Sequence, residues 1–229
     1  MYCQEYNCLF VHIPKTAGKS IESFFLSLLG LSWDQRSSLL LKYNNDLSKG
    51  PERLAHLTAQ EYVELQYLSK TQFESAFSFS FVRNPWDRIV SEYRYRRGYL
   101  RCSFKDYLMH EFPEPGMSDA SRHVLSQKEF IFDKEGNQLV DFIGRFENLQ
   151  SDFEEVCRRV GIASDVLPRV KEASGARLTL PERLRQWLRL HKEPRHRHYS
   201  GYYDAESRER VATMYAQDIQ AFAYSFHTD

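Results

Sequence analysis

The chain has 229 residues, 42% hydrophobic and 14% aromatic, enough to bury a sizeable core in one domain. Its 31 basic and 31 acidic residues leave no net charge, which argues against a general binder of nucleic acid or of anionic membrane surfaces. No apolar run is long enough to span a bilayer and no basic leader precedes the first apolar stretch, so a soluble, cytoplasmic protein without a membrane segment is expected.

Residues 8–13 (CLFVHI) read as a short strand of the kind buried in a parallel sheet. After Pro14 and a turn, residues 19–29 place Ile21, Phe24, Phe25, Leu28 and Leu29 on one helical face, and Gly30 is the expected C-terminal cap. Residues 32–52 are polar and irregular and read as a surface loop. Thr58 and Glu61 form a capping box for a helix through Leu68. Phe77, Phe79 and Phe81 alternate with Ser78 and Ser80, a period-two strand with one apolar face. Asn84 as cap and Pro85 in the first helical position then open a helix.

Farther on, Ser103 and Asp106 cap a short helix that Pro113 and Pro115 end. Residues 130–132 and 139–142 flank a Lys-Glu-Gly-Asn turn and read as a hairpin. Ser151 and Glu154 are expected to cap a helix through Val160, stopped by Gly161. A last helix starts at Asp204 and keeps Val211, Met214, Tyr215, Ile219 and Phe222 at helical spacing. Cys3, Cys8, Cys102 and Cys157 lack metal-ligand and redox spacing and are expected as reduced thiols. The alternation of strands and helices predicts one domain over residues 1–229. Its class is α/β: a P-loop-like three-layer sandwich with a mostly parallel central sheet flanked by helices.

Two stretches carry the chemistry. Residues 10–20 (FVHIPKTAGKS) and 79–93 (FSFVRNPWDRIVSEY) each pass from an apolar strand through a positively charged turn into an amphipathic helix. The first N–H groups of a helix lack intrahelical partners and its dipole is positive there, so both turns suit anions. Two such turns imply a ligand with two separate anionic groups.

In the first stretch, residues 13–20 (IPKTAGKS) approach the Walker pattern, with Ile13 in the place of its first glycine. Gly18 lets the backbone come close to an oxyanion, Lys15 and Lys19 add charge, and Thr16 and Ser20 offer hydroxyls. The plain alternative is a surface turn with two solvated lysines. In the second, Arg83 ends a strand at the point where open α/β sheets place ligands. Ser91, about two turns into the next helix, shares a face with Asn84 and Asp87. A guanidinium and a hydroxyl converging there suit a second phosphate. The alternative is an Arg83–Asp87 ion pair at the helix start.

HIPKTAG followed by VRNPWDRIVSEY resembles the sulfotransferase superfamily, specifically its carbohydrate (heparan/chondroitin-type) branch and a soluble, bacterial-like member of it. Residues 141–149 (DFIGRFENL), 151–162, 199–203 and 204–226 resemble that branch's C-terminal half. The resemblance implies transfer of a sulfuryl group from 3′-phosphoadenosine-5′-phosphosulfate (PAPS) to a hydroxyl of a carbohydrate or sugar-containing acceptor, a small molecule or an oligosaccharide. Adenosine 3′,5′-bisphosphate is the co-product. Lys15, Thr16, Ala17, Gly18, Lys19 and Ser20 would hold the 5′-phosphosulfate, and Arg83 and Ser91 the 3′-phosphate. Lys19 departs from the family, which often has a small hydroxyl residue there.

Lys15 is the expected cation at the leaving 5′-phosphate oxygen, and His56 in residues 54–58 (LAHLT) matches the branch's candidate base. Glu92 and His12 are rivals, His12 reading better as a packed core residue; His56 also reads as a histidine of the turn before Thr58. Arg197 either reaches a phosphate or acidic acceptor or belongs to a solvated basic loop within residues 183–198. The cluster of Arg94, Arg96, Arg97 and Arg101 is likewise either a solvated face or an anion groove. This chemistry requires no metal, and the sequence shows no ligand spacing for one.

Two other functions stay open. One is a P-loop-like small-molecule kinase, opposed by Ile13 and by the lack of a strand-borne Asp for Mg²⁺. The other is a non-catalytic nucleotide-binding module. Acceptor identity and oligomeric state have no readable code.

Overall fold

A four-stranded sheet organises the first of two compact units in the computed structural model, which describes residues 1–163, 166–168 and 198–228. In chain order the elements are β1 (Tyr2–Cys3), β2 (Cys8–Val11), α1 (Gly18–Leu28), α2 (Ala59–Glu64), α3 (Lys70–Ser75), β3 (Phe77–Val82), α4 (Pro85–Tyr95) and α5 (Phe104–His110). Then come α6 (Asp119–Val124), α7 (Gln127–Ile131), β4 (Phe142–Arg145), α8 (Leu149–Val160), α9 (Ala205–Met214) and α10 (Ala216–Ala221). The first unit spans Met1–Arg83 and Glu114–Val170, the second Asn84–Pro113 and Lys171–Asp229.

In the first unit the strands lie in the order β1-β2-β3-β4. The β2–β3 and β3–β4 pairs are parallel, with Phe10 beside Phe79 and Phe79 beside Phe142; β1 alone runs antiparallel. The mostly parallel sheet flanked by helices agrees with the expected α/β class. The phenylalanine face of the strands forms the core. Phe10, Phe79 and Phe81 pack with Ile21, Phe24 and Phe25 of α1 and with Phe153, Val156 and Cys157 of α8. Phe10 stacks on Phe79 at 5.1 Å between ring centroids, and Phe24 meets Phe153 edge-on at 4.9 Å.

The serine face of β3 is buried too, as in a parallel sheet covered on both sides. Its hydroxyls are therefore hydrogen-bonded: Ser80 Oγ donates to the Val11 carbonyl at 2.7 Å and Ser78 Oγ to Asp141 Oδ2 at 2.8 Å. Gly144 lets β4 lie alongside, because a Cβ there would press into the Phe81 ring.

Several expected boundaries move. Residues 130–132 and 139–142 do not form a hairpin. Gln127, Phe130 and Ile131 fall at helical spacing and are buried on α7, while Phe142 belongs to β4, parallel to β3. A single antiparallel bridge, Phe132 to Gln138, is what the turn contributes. The Thr58/Glu61 capping box is present, but α2 ends at Glu64, short of Leu68. Ser151 does not cap α8: the helix starts at Leu149, Ser151 Oγ bonds back to the Asn148 carbonyl at 3.0 Å, and Gly161 ends it at φ 73°. Residues 32–52 contain short 3₁₀ turns at Trp33–Leu39 and Leu47–Lys49. All four cysteines are free thiols, as expected.

The second unit is built around α4. Asn84 caps it through Oδ1 to the Trp86 N–H at 3.1 Å, and Asn84 Nδ2 donates to the Ser225 carbonyl at 2.9 Å. Trp86 Nε1 donates to the Arg208 carbonyl, and Tyr203 Oη to the Trp86 carbonyl. The expected last helix is two, α9 and α10, divided at Tyr215. Asp204 caps α9 through the Ser207 N–H at 2.8 Å and is bridged by Lys105. Within the arginine cluster, Arg96 is committed to the fully buried Glu92 at 2.7 Å and Arg101 to Glu111 at 3.3 Å.

Candidate sulfuryl-donor site

Between β2 and α1 the chain turns through two non-glycine residues in the left-handed region, Lys15 at φ 71° and Ala17 at φ 72°. Such residues cost energy and persist where the surroundings hold them. Thr16 Oγ1 supplies one restraint, donating to the Ile13 carbonyl at 2.8 Å. The double turn starts α1 at Gly18 with Ala17 as N-cap, so no side chain caps this eleven-residue helix and its first turn carries no acidic residue. Uncapped N–H groups at the positive end of a helix are donors for an anion. Lys15 is 7% exposed and Thr16 fully buried, so the solvated-turn alternative fails for them; Lys19 and Ser20 are half-buried.

Gly18 has a packing reason beyond anion access. A Cβ on it would fall within the His12 ring. That ring is held on other sides: Nδ1 lies 2.6 Å from Glu22 Oε1, and the ring stacks on Phe10 at 5.4 Å. His12 is thus a packed core residue, as its sequence position suggested.

Arg83, at the end of β3, reaches this loop. Its Nη1 donates to the Lys15 carbonyl at 3.0 Å, and its guanidinium lies 3.9 Å above the Phe146 ring. Gln127 clamps the Arg83 main chain from both sides, accepting from its N–H and donating to its carbonyl, each at 2.8 Å. Ser91 is half-buried on α4 of the second unit. Arg197 lies outside the described residues.

His56 lies in a short turn, Leu54–His56, before α2. It does not cap that helix, since Thr58 does. It is 4% exposed, meets His12 edge-on at 4.8 Å and His123 at 5.1 Å, and places Nδ1 3.4 Å from the His12 carbonyl. Burial, and then the neighbouring His12, His123 and Arg53, hold its pKa well below the ordinary histidine value, so it is a neutral imidazole at neutral pH. Its rival Glu92 is fully buried in the ion pair with Arg96.

Sequence reasoning missed Glu22, Gln127 and Phe146, which position His12 and Arg83; nothing in their local pattern marks them. It also found no metal-ligand spacing, whereas His56, Asp119 and His123 converge, with ligand-type atoms all within 4.8 Å of one another. Asp119 and His123 stand four apart on α6, a readable signal in the sequence.

The model of the family described as "Sulfotransferase family" matches residues 1–225. A protein of Archaeoglobus fulgidus, named "Uncharacterized protein", is 26% identical over 115 residues, covering 47% of this chain and 86% of that one. No solved structure matches. Among the described residues, no helix is long and apolar enough to cross a membrane. With the family match running almost end to end over an α/β fold whose loop and arginine suit a phosphate-rich donor, the chain belongs to the sulfotransferase family, PAPS-dependent transferases.

Proposed function

We propose that residues 1–229 act as one sulfotransferase-like domain of the carbohydrate branch. It would move a sulfuryl group from PAPS to a hydroxyl of a carbohydrate or sugar-containing acceptor in the cytoplasm. The observation that carries the reading is the joining of the two motifs: the Arg83 guanidinium is bonded to the Lys15 carbonyl in the loop that opens α1. A donor with anionic groups at both ends of its ribose would use both.

The donor supplies an activated sulfuryl group with a 5′-phosphate leaving oxygen. Sulfuryl transfer resembles phosphoryl transfer, an in-line displacement in which positioning and charge stabilisation carry most of the catalysis. Lys15, Thr16, Ala17, Gly18, Lys19 and Ser20 form the cradle for the 5′ end. Arg83 and Ser91 would hold the 3′-phosphate, with Arg197 as a further cation. Lys15 would meet the negative charge that grows on the leaving oxygen. His56, neutral at working pH, would accept the proton of the acceptor hydroxyl as its oxygen bonds to sulfur and the bond to the 5′-phosphate oxygen breaks.

Calorimetric binding of adenosine 3′,5′-bisphosphate and of ADP, without metal, to wild type and Arg83→Ala tests the reading. The bisphosphate should bind more tightly, and Arg83→Ala should abolish that preference. ADP binding as well or better, indifferent to Arg83→Ala, would sink it and point to Gly18-Lys19-Ser20 as a kinase loop.

A further inference from the structure

His56, Asp119 and His123 meet in the first unit, and each is less than a tenth exposed. His123 Nε2 lies 3.5 Å from Asp119 Oδ1, and His56 Nε2 lies 3.9 Å from the same oxygen. Donors held at about 2.0–2.2 Å in a tetrahedron are about 3.3–3.6 Å apart. The two imidazole–carboxylate distances therefore stand close to the spacing of a zinc-type ligand set, and all three ligand atoms lie within 4.8 Å of one another.

The surroundings match a metal site as well. Metal-bound histidines commonly donate their second ring N–H to a carbonyl or carboxylate, which fixes the tautomer. His56 has that arrangement, with Nδ1 3.4 Å from the His12 carbonyl and Nε2 turned to Asp119. The start of α6 is anchored by the Asp119 N–H to Glu52 Oε2 at 2.9 Å, and its next turn by the Arg122–Glu61 ion pair to α2. Asp119 and His123 are thus held on one helix face toward the His56 turn.

Arg53 is a cation beside the cluster, with its Nε 3.1 Å from Asp119 Oδ1. Arg53 is partly exposed and also stacks over Tyr43 at 5.0 Å, so it has somewhere to stay when that oxygen is taken.

We propose that His56, Asp119 and His123 bind one divalent transition-metal ion of the zinc class, leaving a fourth position for water. Two imidazoles and one carboxylate suit zinc or cobalt better than magnesium or calcium, which prefer all-oxygen sets. The consequence for activity rests on the reading of His56 as base: an ion on Nε2 removes the lone pair that would accept the proton, so occupancy stops transfer reversibly.

The test uses the full chain, stripped with a chelator and titrated with Co²⁺, whose tetrahedral complexes absorb in the visible. One Co²⁺ per chain with a tetrahedral spectrum, displaced by Zn²⁺, is expected. His123→Gln should weaken binding by at least about ten-fold, and Arg53→Ala should tighten it by removing a competing cation. A missing tetrahedral spectrum, or one that survives both His123→Gln and Asp119→Asn in proteins with wild-type circular dichroism, overturns the site. Zn²⁺ should also slow transfer in wild type and should not slow His123→Gln, each read against its own metal-free rate. Binding without inhibition would leave the site standing and remove His56 as the base.

Discussion

Gly18→Ala separates a packing role for this glycine from a purely catalytic one. Gly18 opens α1 with a backbone outside the left-handed region, so propensity alone predicts that alanine stabilises by about 0.4–1 kcal/mol. The structure predicts the opposite, because the new methyl would overlap the His12 ring. That ring cannot turn aside freely: Glu22 holds Nδ1 at 2.6 Å, Phe10 covers one face, and His56 abuts it at 4.8 Å. Overpacking costs about 1–3 kcal/mol, and with the ring fixed on three sides the upper end applies, for a net loss of about 2 kcal/mol. In a domain of this size that lowers Tm by about 4–8 °C. His12→Ala removes the obstacle, so in that background Gly18→Ala should be neutral or stabilising, a coupling of about 2–3 kcal/mol. Urea and thermal unfolding of the four proteins measure the cycle, and calorimetry with adenosine 3′,5′-bisphosphate reads whether the displaced loop loses its anion. Equal effects of Gly18→Ala in both backgrounds, or a stabilised single variant, would refute the reasoning.

Lys15→Ala should lower kcat by about 10²–10³ with a smaller change in KM, since its charge is assigned to the leaving oxygen rather than to ground-state binding; an effect confined to KM, read in steady-state transfer assays, would contradict this. Gly144→Ala should cost about 1–3 kcal/mol in urea unfolding, because its methyl meets the Phe81 ring across the β3–β4 pair. Asp204→Asn should flatten the acid limb of stability. Hydrogen bonds from Lys105 and Ser207 hold the Asp204 carboxyl below its ordinary 3.8, so its contribution is complete above that pH and is lost as pH falls toward the lowered value. Unfolding curves at neutral and acid pH should converge for wild type and variant at the acid end.

Local rules carried the sequence a long way where each residue answers to its neighbours. Asn84-Pro85, Thr58 with Glu61, Ser103, Gly30 and Gly161 all mark helix ends, because caps act over one turn. Phe77–Val82 was legible by its alternation. The misreading of residues 130–142 has the same root: two short apolar runs around a turn satisfy hairpin rules, and what decides against them is the parallel pairing of β4 with β3, a partner distant in sequence. The loop and Arg83 were visible as motifs. The Gln127 clamp and Glu22 were not, since each works through a contact that the fold alone creates.

His12 is where these levels join. Its position in HIPKTAG looks like part of a phosphate-loop motif, yet the side chain is buried and packs against Phe10, Glu22 and His56. One edge of its ring fills the space a side chain on Gly18 would need, Nδ1 is tied to Glu22 further along α1, and its carbonyl faces His56 Nδ1. The start of α1, a later turn of the same helix and the His56 turn therefore share one buried residue. A shift of the loop on binding an anion must move the His12 ring or strain against it, and through the 4.8 Å edge contact between the two rings it would shift His56 as well. His56 Nε2 in turn lies toward Asp119, and its ring meets that of His123. If the loop holds an anion and the His56 cluster a metal, the two occupancies are linked through the His12 imidazole, and linkage is reciprocal. If adenosine 3′,5′-bisphosphate changes the affinity for Zn²⁺, Zn²⁺ must change the affinity for the bisphosphate by the same factor, and replacing His12 with Ala should bring that factor close to one.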